Sequence, residues 1–287
     1  MSGGLGGGPS GGPRDGLSGG PEPRRSSRRF SRRLPGYIWA VCLILAVWQV
    51  LSVAMGPLVL PRPWSVFVDL AGRVGDPVFL AHLGASVRRL ASGLGMGFAV
   101  GFPLGVAMGR FPGFDAVLSP VVFLTYPVPK VLLLPALLVI FGLGEAPKTV
   151  LIVLVTGYQI LVVTRDAVKG MDPVWETSFS TLWPAARPGG RLSRELSLSR
   201  HVTVPFALPA AMSSLRLAAG TAVSVLFIAE SFATERGLGL MIVDAWGAMD
   251  LTRMWSGILA MGFLGAAFFE LAYLLERLLC PASRGGS

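Results

Sequence analysis

The sequence predicts an all-α membrane protein with six transmembrane helices and both termini on the cytoplasmic side. Three observations carry that fold class. Of the 287 residues, 52% are hydrophobic and only 14% charged, with a mean hydropathy of +0.63, whereas a soluble domain needs roughly a quarter charged residues. Six apolar stretches approach the about 20 residues of helix that cross a bilayer: residues 37–53, 87–108, 117–141, 149–163, 207–229 and 255–279. The net charge of +9 comes largely from arginines placed in the N-terminal tail and at the ends of those stretches, the pattern of membrane orientation rather than of nucleic-acid binding.

Residues 1–33 are built from Gly, Pro, Ser and Arg and cannot bury enough surface to offset the entropy of ordering, so a disordered basic cytoplasmic tail is expected. Arg24, Arg25, Arg28, Arg29, Arg32 and Arg33 precede the first apolar run. Together they have the form of a signal peptide, but the further spans favour an uncleaved first helix whose basic flank stays inside. Residues 34–83 are read as that helix plus an external segment, in which Trp64, Val66, Phe67, Val68 and Leu70 suit a short interfacial helix. Residues 84–280 form the transmembrane domain proper, and residues 281–287 a short tail.

Gly93, Gly95, Gly97, Gly101, Pro103 and Gly105 in the second span permit close helix contact or local unwinding. The loops at 109–116 and 164–201 fall inside. The latter carries Arg165, Lys169, Arg187, Arg191, Arg194 and Arg200, against Lys148 alone after the third span, which agrees with the positive-inside bias. On the outer side, residues 231–254 include GLGLMIVDAW, which suits a partly re-entrant helix.

The polar segment 172–209, between the fourth and fifth spans, is placed to touch something outside the membrane. Asp172 is a candidate N-cap, with Pro173 in the first turn and Glu176 close behind, where a carboxylate favours a helix N-terminus. Trp175, Phe179 and Trp183 recur at four-residue spacing. Their shared face either fills a pocket in a partner or packs on the bundle's own cytoplasmic ends. Pro184, Pro188, Gly189 and Gly190 then break the helix, and RLSRELSLSRH is either a second, basic helix or a solvated loop.

A charge exposed to lipid at mid-membrane costs about 2.5–3.5 kcal/mol even on the lenient insertion scale, so intramembrane polar residues need an explanation. Lys130, after Pro127 and Pro129, sits where a broken helix and freed carbonyls suit a cavity; it attracts an anion or pairs with a carboxylate. Glu230 pairs with Arg236 or forms part of a gate. Arg216 snorkels to the headgroups or pairs structurally. Tyr126, Thr156, Tyr158, Gln159 and Ser224 complete the candidates for a translocation pathway, each also suited to a helix-to-helix hydrogen bond.

No enzyme site is expected. The chain has no phosphate-binding Gly-x-x-x-x-Gly-Lys-Ser/Thr string. His82 and His201 fall on opposite sides in this topology, which argues against a shared metal site. Cys42 and Cys280 are read as structural, and no cofactor is expected.

Several strings, in order, carry a resemblance that covers more than three quarters of the chain. They are LPRP (Leu60 to Pro63), HLGASVRRLASGLGMGFAVGFPLGVAMGR, YPVPKVLLLPALLVIFGLGEAPK, GMDPVWE, VPFALPAAMSSLRLA and AESFATERGLGLMI. From Leu60 to Leu279 the chain resembles the inner-membrane permease subunit of bacterial ATP-binding-cassette importers, specifically the nitrate, sulfonate and taurine group. The resemblance implies the type I importer permease fold, two ATP-binding-cassette ATPase subunits, an external substrate-binding protein, and a second permease subunit, expected to be identical. It also implies transport of a small solute, such as a sulfonate or a related nutrient, by alternating access.

In such permeases a cytoplasmic Glu-Ala-Ala motif with a following Gly and a Leu-Pro-like end forms a coupling helix that docks on the ATPase. Matched residue by residue, Glu176 takes the Glu position, Thr177 and Ser178 the small pair, Leu182 the Gly position, and Val204 and Pro205 the closing pair, with Trp175 and Phe179 on the docking face. The chain departs from the pattern at Leu182 and in extra residues around 184–196. A secondary transporter or channel driven by an ion gradient is the alternative, but it calls for inverted repeats with matching broken helices, and the sequence has no such symmetry. A membrane scaffold that recruits a cytoplasmic protein through the polar segment is a third class.

Overall fold

The computed structural model describes residues 34–182 and 190–280. The expectations for the basic tail, for Trp183, for the break at 184–189 and for the C-terminal tail lie outside the described residues. Among the described residues every regular element is a helix. The chain divides into two units at Trp48 and Gln49, the first contributing only the start of α1, Leu34–Met55, which is apolar on every face.

In the larger unit, Ser52 donates to the carbonyl of Leu60 at 2.8 Å and so closes the turn after α1. The expected interfacial helix is α2, Pro63–Arg73, with proline at its start. Its Val66 is fully buried, and its Asp69 accepts from Ser256 at 2.7 Å, which fastens it to the last helix, α11, Leu251–Leu279.

The longest element is α3, Pro77–Arg110. Asp76 caps it by accepting from the Val78 N–H at 2.9 Å, with Pro77 at the first helical position, where its missing donor costs nothing. α3 packs along α6, Glu145–Lys169, through a ladder of glycines at four-residue spacing. A Cβ on Gly101 would lie 2.5 Å from the Gly157 carbonyl oxygen, one on Gly105 2.6 Å from the Leu161 oxygen, and one on Gly109 2.5 Å from Val168; Gly93 and Gly97 meet Ile152 and Thr156 in the same way. No side chain larger than hydrogen fits at these rungs, so the two backbones approach as small-residue helix pairs do in lipid.

Between them in sequence, the stretch expected as the third span is not one rod. Pro112–Thr125 (α4) and the segment Lys130–Phe141, a 3₁₀ turn followed by α5, Leu134–Phe141, meet at 89°. Pro127 and Pro129 remove the N–H groups that would continue the ladder of helical bonds.

The segment at 164–201, expected as a loop, is helical wherever it is described, apart from a short turn before Pro173. α6 runs to Lys169, α7 spans Pro173–Leu182, and α8 spans Gly190–Leu198. The basic stretch RLSRELSLSRH is thus a helix, and it passes through a π turn, Ser199–Thr203, into α9, Val204–Glu230. α9 turns a strip of small residues inward: Ala211, Ala218, Ala219, Ala222 and Ala229 are fully buried. The expected re-entrant segment contains one short helix, α10, Leu238–Gly247.

Four described helices are long and apolar enough to cross a membrane: Pro77–Arg110, Glu145–Lys169, Ser193–Glu230 and Leu251–Leu279, with the bent pair a fifth crossing if its halves count as one. The first expected span falls in α1, whose apolar part Trp39–Met55 is shorter than the others.

Candidate coupling segment and translocation face

The polar segment is organised around one arginine. Asp172 accepts from the Val174 N–H at 2.9 Å and starts α7 as its sequence predicts. One turn later Glu176 pairs with Arg110 at the end of α3. The same guanidinium donates to Glu195 of α8 at 2.6 Å, and Arg194 of α8 donates to Ser180 of α7 at 2.6 Å. A single planar fork thus holds two carboxylates from two helices, a use for which Arg is suited and Lys is not.

The predicted coupling residues divide by exposure. Trp175 is 55% exposed, Thr177 and Ser178 are exposed, and Phe179 is half-buried. Leu182 closes α7; only its backbone falls within the described residues. The two halves of the matched motif come together in space. Trp175 and Pro205 line one cleft with His201, Val202 and Phe206, and Val204 packs on Val106 of α3, Val168 of α6 and Ala207. The π turn keeps Pro205 in helical continuity with α8, a placement that no local sequence signal foretold.

Nearby, Asp115 at the start of α4 accepts from Arg165 at 2.6 Å and from Lys169 at 2.5 Å, both on α6. This cluster fastens the bent pair to the α3–α6 unit. With Arg110, Glu176 and Lys169 it surrounds a pocket beside the end of α3.

The pathway candidates fall into two groups. At the break between α4 and α5, the Lys130 ammonium donates to the carbonyls of Tyr126, at 2.6 Å, and Thr125, at 3.1 Å. It also lies over the rings of Tyr158 and Tyr126, 4.5 Å and 5.1 Å from their centroids. Its charge is therefore met by the open carbonyl end of a broken helix and by two ring faces, rather than by the carboxylate that the sequence reading held open. Tyr158 bonds Thr125 at 2.9 Å, and its neighbour Gln159 accepts from Thr221 of α9 at 3.2 Å. Adjacent residues of α6 thus reach to opposite neighbours. Ser224 is exposed. In contrast, Thr156 and Glu230 have no exposed surface: Thr156 donates back to the Ile152 carbonyl and fills the space opposite Gly97.

Glu230 belongs to a cluster that the sequence reading missed. Its carboxylate accepts from Arg89 at 2.7 Å, from Ser86 at 2.8 Å, and from the Gly239 N–H at 2.9 Å. Arg89 also donates to Glu145 at 2.5 and 2.7 Å and to the Arg236 carbonyl at 2.6 Å. The expected partner, the Arg236 side chain, is corrected to Arg89; what Arg236 supplies is its backbone oxygen. Arg89 stands in an apolar helix, and that was the available signal, because a charge there needs a partner. Lys148, also buried, donates to the Ala233 carbonyl at 2.9 Å. Arg216 is paired structurally, 3.4 Å from Glu276 and over the rings of Phe269 and Tyr273.

Comparison with known proteins bears on what these clusters serve. A family described as binding-protein-dependent transport system inner membrane component matches residues 193–284. The chain is 31% identical to the taurine transport system permease protein of Escherichia coli (strain K12) over 257 residues, covering 85% of this chain and 88% of that one. It is 27% identical to the putative aliphatic sulfonates transport permease protein of Bacillus subtilis (strain 168), covering 82% and 83%. It is 25% identical to the formylaminopyrimidine transport permease protein of Halalkalibacterium halodurans, covering 83% and 92%.

Proposed function

The chain belongs to the inner-membrane permeases of binding-protein-dependent ATP-binding-cassette importers, in the nitrate, sulfonate and taurine group, and we propose that it moves a small sulfonate-type anion across the cytoplasmic membrane by alternating access. The solute is delivered by an external binding protein, and the work comes from two ATPase subunits acting on a pair of identical permeases. Counting α1 and the bent pair as crossings gives six spans with both termini in the cytoplasm. The Arg110 end of α3 is then the cytoplasmic end, where Arg165, Lys169, Arg194 and Arg200 gather, as the positive-inside bias requires.

α7 is the coupling helix. The observation that carries this is the half-exposed Trp175 beside a cleft that it shares with Pro205: a helix end outside the spans presents an aromatic anchor and an open groove, the form of an interface hot spot. Thr177 and Ser178 are also accessible, Phe179 stands one turn after Trp175 on its face of the helix, and Leu182 ends α7. Of the pathway candidates, Tyr126, Lys130, Tyr158, Gln159 and Ser224 have accessible surface and are assigned to the translocation face. The fully buried Thr156 and Glu230 are assigned to holding the helices together. Relatives whose names specify taurine and aliphatic sulfonates support the solute class, and Lys130, which no carboxylate pairs among the described residues, is compatible with an anion.

Co-expression with the cognate ATPase tests the reading. The ATPase is expected to co-purify with the wild-type chain and to be lost on Glu176→Lys, together with ATP-dependent uptake of radiolabelled taurine or ethanesulfonate into proteoliposomes. Uptake that continues without any ATPase, driven by an ion gradient, overturns it in favour of a secondary transporter.

A further inference from the structure

The ion pairs at the end of α3 point beyond docking, to how movement of the coupling segment enters the membrane. Arg110 is the last residue of α3. Its two terminal nitrogens bind carboxylates from two different helices, Glu176 on α7 and Glu195 on α8. α7 and α8 are also joined to each other, through Arg194 and Ser180. Arg110 therefore grips the segment as a unit rather than one helix of it.

The other side of the grip is equally well defined. The glycine ladder leaves α3 and α6 too close for a side chain to stand between them, so a displacement applied at the end of α3 carries α6 with it. Packed interiors transmit strain rather than absorb it. Val204 also packs against Val106 and Val168, an apolar and non-directional contact that permits sliding, and the three residues between Lys169 and Pro173 join α6 to α7 through the chain itself. Arg110 supplies the directional link.

We propose that Arg110 is the positioning residue through which the coupling segment drives the α3–α6 pair, with Glu176 and Glu195 as the two arms of one clamp. The proposal rests on the reading of α7 as the coupling helix. α8 contributes through Glu195, whose carboxylate is the second arm, so the clamp keeps hold of Arg110 when Glu176 turns toward an ATPase. A clamp with two arms predicts non-additive behaviour, since cutting either leaves the other, while removing the guanidinium cuts both.

The test uses the full complex of permease and cognate ATPase in proteoliposomes, with Cys42 and Cys280 replaced by Ser and a single reporter introduced by Tyr126→Cys. Labelling of the reporter by a water-soluble maleimide is measured with and without ATP and vanadate. In the parent complex the two states are expected to label at different rates. With Arg110→Gln the ATPase still co-purifies, but the ATP-dependent difference falls by roughly tenfold, a typical size for a coupling free energy. Glu195→Gln gives a smaller loss, and adding it to Arg110→Gln produces no further fall. Gel-filtration elution identical to the parent's is required of every variant; should Arg110→Gln aggregate, Glu195→Gln and Arg110→Lys carry the test, each expected to lower the response without changing ATPase recovery. A full ATP-dependent response in Arg110→Gln, with the ATPase bound, overturns the clamp and leaves the docking reading standing. Failure of the parent complex to bind an ATPase overturns both.

Discussion

Two arginines on one helix, each bridging two glutamates, behave as different devices. Arg89 and Arg110 lie 21 positions apart on α3, about 30 Å at the helical rise, close to the thickness of a hydrocarbon core. The Arg89 side chain is 2% exposed; of its two partners Glu230 is 0% exposed and Glu145 50% exposed. The Arg110 side chain is 11% exposed, but its partners Glu176 and Glu195 are 42% and 27% exposed. Water reaches the second pair of acids and can replace a lost partner; it cannot reach Glu230. The Arg89–Glu230 pair is therefore a fixed fastening between α3 and α9, with the half-exposed Glu145 of α6 at its watered edge, and the Arg110 cluster is an exchangeable contact, as a part that must alternate between partners needs to be.

The comparison can be broken most severely at the closed end. Glu230→Ala removes the buried carboxylate that accepts from Arg89, Ser86 and the Gly239 N–H and leaves Arg89 with Glu145 and the Arg236 carbonyl; removing one partner of a buried ion pair costs up to about 3–5 kcal/mol. A large drop in the thermal midpoint of the detergent-purified protein is expected, whereas an unchanged midpoint would show that water enters the cluster. The ladder between the two ends comes next. Gly101→Ala places a methyl against the Gly157 carbonyl and should destabilise by about 1–3 kcal/mol. Gly157→Ala, whose Cβ would meet Gly97 at an ordinary 3.4 Å, should leave the midpoint within the error of the parent's. Equal effects in the two variants would mean that α3 and α6 are not held at these rungs.

At the open end, Arg110→Gln should cost about 1 kcal/mol or less in stability, as partly exposed pairs do, while the ATP-dependent response collapses. A midpoint shift as large as that of Glu230→Ala would erase the distinction between the two ends. The smallest effect is expected at the fastening of α2. Burial works against ionisation of Asp69, but Arg73 and Ser256 outweigh it and hold the carboxyl below its ordinary value. A depressed pKa stabilises the fold above the unfolded-state value of about 3.9, and that contribution is lost as pH falls through the folded value. The thermal midpoint of the wild-type chain should thus fall slightly more than that of Asp69→Asn as pH is lowered below about 4.

Much of the architecture was legible because it is written locally. Asp172 and Pro173 start α7 where a cap and an N-terminal proline should, Pro127 and Pro129 break the third stretch, and the amphipathic residues after LPRP make α2. What could not be read is pairing across the sequence. Glu230 was offered Arg236, six positions away; its partner lies 141 positions earlier, on a helix whose closeness depends on the glycine ladder. The glycines were recognised as permitting close contact, but nothing in the chain names the helix they receive. Arg110 likewise gave no sign of its role, because a basic residue at the end of an apolar run is already accounted for by membrane orientation.

The glycine ladder also sets an order of assembly. A chain made from its N-terminus presents α3 before any part of α6 exists. During that interval the groove of glycines is uncovered and Arg89 has neither of its acids. Glu145 arrives first, 56 positions later, at the start of the helix that fills the groove. Glu230 follows only at the end of α9. This close contact of α3 with α6 therefore waits on synthesis of the intervening bent pair, and the Arg89–Glu230 bond is completed by one of the last membrane segments to be made.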